Sequence, residues 1–156
     1  MNQTILTEEG LVKLKECYRA LKEDKLPEAI KQMKKAQEDN NCDISENNEY
    51  LDACSELNRI ELKMSELEDK FNNLRVIKKE DLKDDGKIKF GCTVKLLKLE
   101  TEEIMEFKIV GTEESDIKQG LLSYQAPIAK EMISLEEGEY FDYQSTEYEI
   151  LKVSII

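Results

Sequence analysis

The chain has 156 residues, a formal net charge of −12 and no histidine. That length suits one ordinary domain or two small ones, and the acidic balance, with a pI near 4.6, argues against unaided binding to a phosphate backbone and for a protein partner with a positive surface. Without histidine the usual general base and every Cys-His or Ser-His dyad are excluded, so any chemistry must rest on carboxylates, lysines or a partner's active site.

No run approaches the roughly 20 apolar residues of a membrane span, and no polybasic run suggests a membrane surface. The start, MNQTILTEEG, lacks the basic and apolar regions of a signal peptide. A soluble, cytoplasmic, monomeric protein with no membrane partner is expected. The cysteines, at 17, 42, 54 and 92, include no C-x-x-C pair, which argues against a structural zinc site and a disulfide framework.

The first predicted element is a helix. Thr7 can cap it, with Glu8 and Glu9 in the first turn, where the helix dipole favours acids. Leu11, Leu14, Tyr18 and Leu21 recur in steps of three and four. Pro27 marks a kink or a restart, because proline is tolerated in a first helical turn but not mid-helix. Ala29, Ile30, Met33 and Ala36 then resume the stripe. The polar stretch EDNNCD, around 39–43, is poor in helix formers and reads as the connection.

The next stretch, DISENNEY from Asp43 to Tyr50, has two readings. Asp43 followed by Glu46 resembles a capping box at a helix start. Alternatively, the two carboxylates sit at an exposed tip for use by another molecule. From Tyr50 the apolar positions Ala53, Leu57, Ile60, Met64, Leu67, Phe71 and Leu74 continue a heptad seam, which predicts a long helix with one buried stripe. Two helices with complementary stripes and a short connection make an antiparallel hairpin. A helix of about 30 residues would reach roughly 45 Å.

Lys78 to Gly86, KKEDLKDDG, reads as a linker. Beyond it the period changes. Thr93–Leu99, Ile104–Val110, Glu139–Tyr143 and Tyr148–Ile155 read as strands punctuated by glycines. Pro127–Ile133 reads as a short helix with proline in its first turn. The fold class expected is α+β: a coiled-coil finger over residues 1–77, a linker over 78–86 and a small, mostly antiparallel sheet domain over 87–156.

These landmarks resemble the bacterial Gre transcript-cleavage factors along nearly the whole chain. The matching stretches are LTEEGLVKLKE, LPEAI, DISENNEY and ELEDKFNNLRVI in the first half, then GCTV, FKIVG and YQAPIAK. The tip pattern D-(L/I)-x-E-N-x-E-Y is the most specific of them.

The resemblance implies an FKBP-like C-terminal domain that docks on RNA polymerase and a finger that enters the secondary channel. It implies that Asp43 and Glu46 share a second Mg²⁺ with the polymerase active site, with Ser45 as a minor helper. The polymerase then cleaves the displaced RNA 3′ end of a backtracked complex, so the factor is not itself an enzyme and carries no cofactor of its own.

The chain also departs from the family pattern. Cys42 stands where glycine usually precedes the tip aspartate, and the approach from Ala36 to Asp43 is slightly longer. Cys54 lies where a basic residue is common, and Asp39 and Asp52 add negative charge. These departures keep open a Gre-like paralogue that occupies the channel and inhibits without stimulating cleavage.

Overall fold

The computed structural model describes residues 3–39 and 47–155. The chain divides into two compact units, one formed by Val12–Asn73 and the other by Met1–Leu11 with Leu74–Ile156.

The Val12–Asn73 unit is helical. Helix α1 (Glu8–Arg19) runs into a π-helical turn over Ala20–Lys25 and on into α2 (Leu26–Asp39); the returning helix is α3 (Asn48–Asn72). The backbone stays helical at Arg19 and Leu26, on either side of the π turn, and the Leu26 N–H donates five residues back to the Leu21 carbonyl. Pro27 thus falls in the first turn of α2, and the irregularity expected there is the π turn just before it, with the backbone helical on both sides. Pro27 has no N–H to offer, and the wider turn just before it absorbs the irregularity in the hydrogen-bond ladder.

The seam packs as its spacing requires. Leu21, Ala29, Ile60 and Leu67 are buried together, with Leu14, Tyr18, Leu26, Leu57, Met64 and Phe71 packed around them. The Tyr18 hydroxyl donates to Glu68 at 2.6 Å, and its ring meets Phe71 edge-on at 5.8 Å. At the other end Asn47 meets Ala36. The last turn of α1 thus pairs with the end of α3 and late residues of α2 with its start, so the hairpin is antiparallel.

The other unit holds two sheets. Strand β1 (Thr4–Thr7) pairs in parallel with β2 (Leu74–Ile77), Thr4 opposite Leu74 and Thr7 opposite Ile77. The larger sheet has the order β5-β4-β3-β7-β6, built from β3 (Thr93–Lys98), β4 (Glu103–Val110), β5 (Leu121–Ser123), β6 (Tyr140–Tyr143) and β7 (Thr146–Ser154). All its pairs are antiparallel except β4 with β5.

Alternation along β3 places Val94 and Leu96 in the core, where they join Ile109, Leu122 and Ile150. Helix α4 (Pro127–Met132) contributes Ala129 and Met132 to the same core. This is an α+β protein, as the change of period predicts.

The compact units divide the chain at other points than the expected 1–77, 78–86 and 87–156. Residues 1–11 and 74–86 group with the C-terminal sheet, because β1 pairs with β2 and lies against the loop after β4 instead of joining the helices. Leu74, counted as the last seam position, is accordingly in β2. Among the described residues no helix is long and apolar enough to cross a membrane.

Candidate functional site at the hairpin end

The expected tip residues Asp43, Ser45 and Glu46, and Cys42 beside them, lie outside the described residues. What the structure describes is the pair of helix ends that flank them in sequence, the last turns of α2 and the first turns of α3.

Asn47 organises that platform. It is the N-cap of α3, with φ −87° and ψ 90°, and its side-chain oxygen accepts from the Tyr50 N–H at 3.0 Å. Its side-chain nitrogen donates to the Ala36 carbonyl at 3.0 Å. One amide therefore caps a helix with its acceptor and crosses to the neighbouring helix with its donors, which a carboxylate cannot do. The residue is only 3% exposed, so both bonds are shielded from competing water.

The capping reading of Asp43 and Glu46 falls on residues outside the described ones. The N-cap of α3 is Asn47, four residues beyond Asp43. The signal was available in the sequence: asparagine is among the best N-cap residues, and Asn47 directly precedes the helix.

Beyond the cap, Glu49 is exposed and Tyr50 half-buried. A hydrogen bond with the Cys54 side chain, one turn on, raises the Tyr50 phenol above its ordinary range. A groove between the helices is lined by Gln32, Lys35 and Ala36 on one side and Glu49, Asp52, Ala53 and Glu56 on the other. Three carboxylates against one ammonium make this end of the hairpin acidic. Among the described residues no cluster of three or more His, Cys, Asp or Glu side chains is placed to hold a metal ion.

Residues 4–76 match the family described as "Transcription elongation factor, N-terminal", and residues 83–155 match "Transcription elongation factor, GreA/GreB, C-term". Transcription elongation factor GreA of Neisseria meningitidis serogroup A is 39% identical over 160 residues, spanning the whole of both chains. The chain belongs to the GreA/GreB transcription elongation factor family. Another family relative, GreA of Alkalilimnicola ehrlichii, is 36% identical over 157 residues and 98% of each chain. Among solved structures, the chain is similar to GreA factor homolog 1 of Thermus thermophilus, with 21% identity, coverage of 97% of this chain and 99% of that one, and a TM-score of 0.44. DISENNEY falls within the N-terminal family segment, and its last three residues, Asn48 to Tyr50, open α3.

Proposed function

We propose that this family member binds RNA polymerase and stimulates the polymerase's own cleavage of backtracked RNA. In this reading the C-terminal, FKBP-like sheet domain docks, and the hairpin enters the secondary channel. Asp43 and Glu46 reach the active site, with Ser45 as a helper, and the nascent RNA 3′ end is the substrate of the polymerase. The observation that supports the reading is the Asn47 amide that fastens the start of α3 to the end of α2, with Asp43, Ser45 and Glu46 in the stretch of sequence that joins those two helices.

The donor set fits a shared Mg²⁺. Two carboxylates supply hard oxygen ligands, and Mg²⁺ commonly takes one or two of these while keeping several waters, without a complete protein cage. When bound beside the polymerase's own ion, such a metal stabilises the attacking and leaving oxygens of a phosphodiester displacement. The chain's part is to deliver the two carboxylates and hold their approach fixed. That task needs no histidine, and the chain has none.

The acidic groove of Glu49, Asp52 and Glu56 favours a second reading, in which the factor occupies the channel and inhibits without stimulating cleavage. Negative charge there repels RNA phosphates. A cleavage assay on purified backtracked complexes separates the two. Faster cleavage supports the first reading, slowed polymerase activity without cleavage supports the second, and no effect overturns both. Arginine at positions 39 and 54 should raise cleavage most at low salt, where charges are least screened.

A further inference from the structure

Two of the stretches singled out in the sequence, LTEEG at 6–10 and FKIVG at 107–111, have no part in the tip chemistry, yet they meet in the fold. The Glu114 carboxylate joins them. It accepts from the Thr7 N–H and from the Gly111 N–H, each at 3.0 Å, and from the Thr7 hydroxyl. The Thr7 hydroxyl oxygen in turn accepts from the Gly10 N–H at 3.2 Å. The hydroxyl is therefore both donor and acceptor, with its proton directed at Glu114. Gly10 N–H, Thr7 hydroxyl and Glu114 carboxylate form one relay, with the negative group at the positive end of α1.

The surroundings are shaped to admit that carboxylate. A Cβ on Gly10 would overlap the Glu114 carboxyl group, and a Cβ on Gly111 would overlap the Ile5 carbonyl oxygen. Gly111 has φ −71°, which any residue adopts, so glycine is required there for space. A second link reaches the same helical turn: Lys108 lies 3.6 Å from Glu9. Hydrogen bonding from its own backbone, together with the Lys108 charge, keeps the Glu9 carboxyl below its usual range.

We propose that Glu114 is a positioning residue that, from a distant part of the chain, holds Thr7 as the cap of α1 and so fixes the first turn of the helix that runs on into the hairpin. Its effect on activity rests on the proposed polymerase role. Loss of the latch leaves polymerase binding in place and impairs what the tip does once bound.

The test uses the full-length protein and the variants Glu114→Ala, Glu114→Gln, Gly10→Ala, Thr7→Val and Thr7→Ser. The concentration giving half-maximal effect on polymerase is measured apart from the limiting effect at saturation, whether that effect is cleavage or inhibition. Glu114→Ala, Gly10→Ala and Thr7→Val should lower the limiting effect about tenfold, as misplacement of a reacting group does, with the half-maximal concentration little changed. Thr7→Ser, which keeps the hydroxyl, should restore it, and Glu114→Gln should fall between.

Gly10→Ala should cost little further in a Glu114→Ala background, since the overlap is then relieved. An unchanged limiting effect in Glu114→Ala, or full additivity with Gly10→Ala, overturns the proposal. Hydrogen exchange at the Thr7, Gly10 and Gly111 amides gives a readout independent of polymerase. If the wild-type protein has no effect on polymerase, the functional reading falls. Faster exchange in Glu114→Ala then still supports the latch, and unchanged exchange overturns it.

Discussion

The side chain of Asn47 donates to the carbonyl of Ala36 at 3.0 Å while accepting from the backbone of its own helix. The end of α2 and the start of α3 are thereby joined next to the acidic motif. Asn47→Ala should cost about 2 kcal/mol, from a lost cap and a buried carbonyl deprived of this donor. Asn47→Asp keeps an acceptor for Tyr50 but loses the donor to Ala36, so its stability should lie between. Urea unfolding of both variants checks the order. Equal stability of Asn47→Ala and wild type would show that the bridge does not stabilise the hairpin.

Asp43→Ala and Glu46→Ala should each abolish stimulated cleavage while changing stability by no more than about 0.5 kcal/mol. The N-cap of α3 is Asn47, which both variants keep. The assay pairs cleavage of backtracked complexes with polymerase binding. Variants that bind normally and still stimulate at the wild-type rate would remove both residues from the chemistry.

A fragment from Lys87 to Ile156 should fold and compete with the full protein for polymerase, yet stimulate no cleavage. It retains β3 to β7, α4 and the core of Ile88, Val94, Leu96, Ile109 and Ile150. It also keeps the hydrogen bonds between Ile88 and the 134–135 backbone. Thr7, a partner of Glu114, is missing, so its melting temperature should be lower than that of the full chain. A folded fragment that fails to displace the full protein would overturn the assignment of docking to the sheet domain.

Cys92 is buried and Cys17 exposed, so in the native protein an alkylating reagent should modify Cys17 readily and spare Cys92. Burial pushes the Cys92 thiol above its ordinary range. The unfolded chain therefore gives up this proton first as pH rises. The associated stability is complete below the unfolded value of about 8.5 and is lost as pH rises through the folded one. Replacing Cys92 with alanine should flatten the alkaline decline in stability. Denaturant midpoints from pH 7 to 10 measure it, and an identical decline in both proteins would exclude Cys92 as a contributor.

Where one periodic pattern covers a whole element, the sequence was enough. The three-four spacing from Leu57 to Phe71 placed the seam of α3, because a helix repeats every 3.6 residues whatever surrounds it. The strands around Thr93 and Ile104 and the helix at Pro127 were legible for the same local reason. The turn between β6 and β7 was harder to read. Gln144 and Ser145 both have positive φ in a two-residue loop, without the glycine or asparagine that normally announces such a turn.

The sequence by itself determined the family and the hairpin seam, since each lies in contiguous residues or in one helical period. Only the tertiary structure decided which side chain caps α3, how β1 pairs with β2 although the whole hairpin lies between them in sequence, and where Glu114 reaches. Those outcomes depend on groups far apart in the chain. Thr7 and Glu114 are 107 residues apart, and no local propensity encodes a hydrogen bond whose partners meet only after the chain has folded.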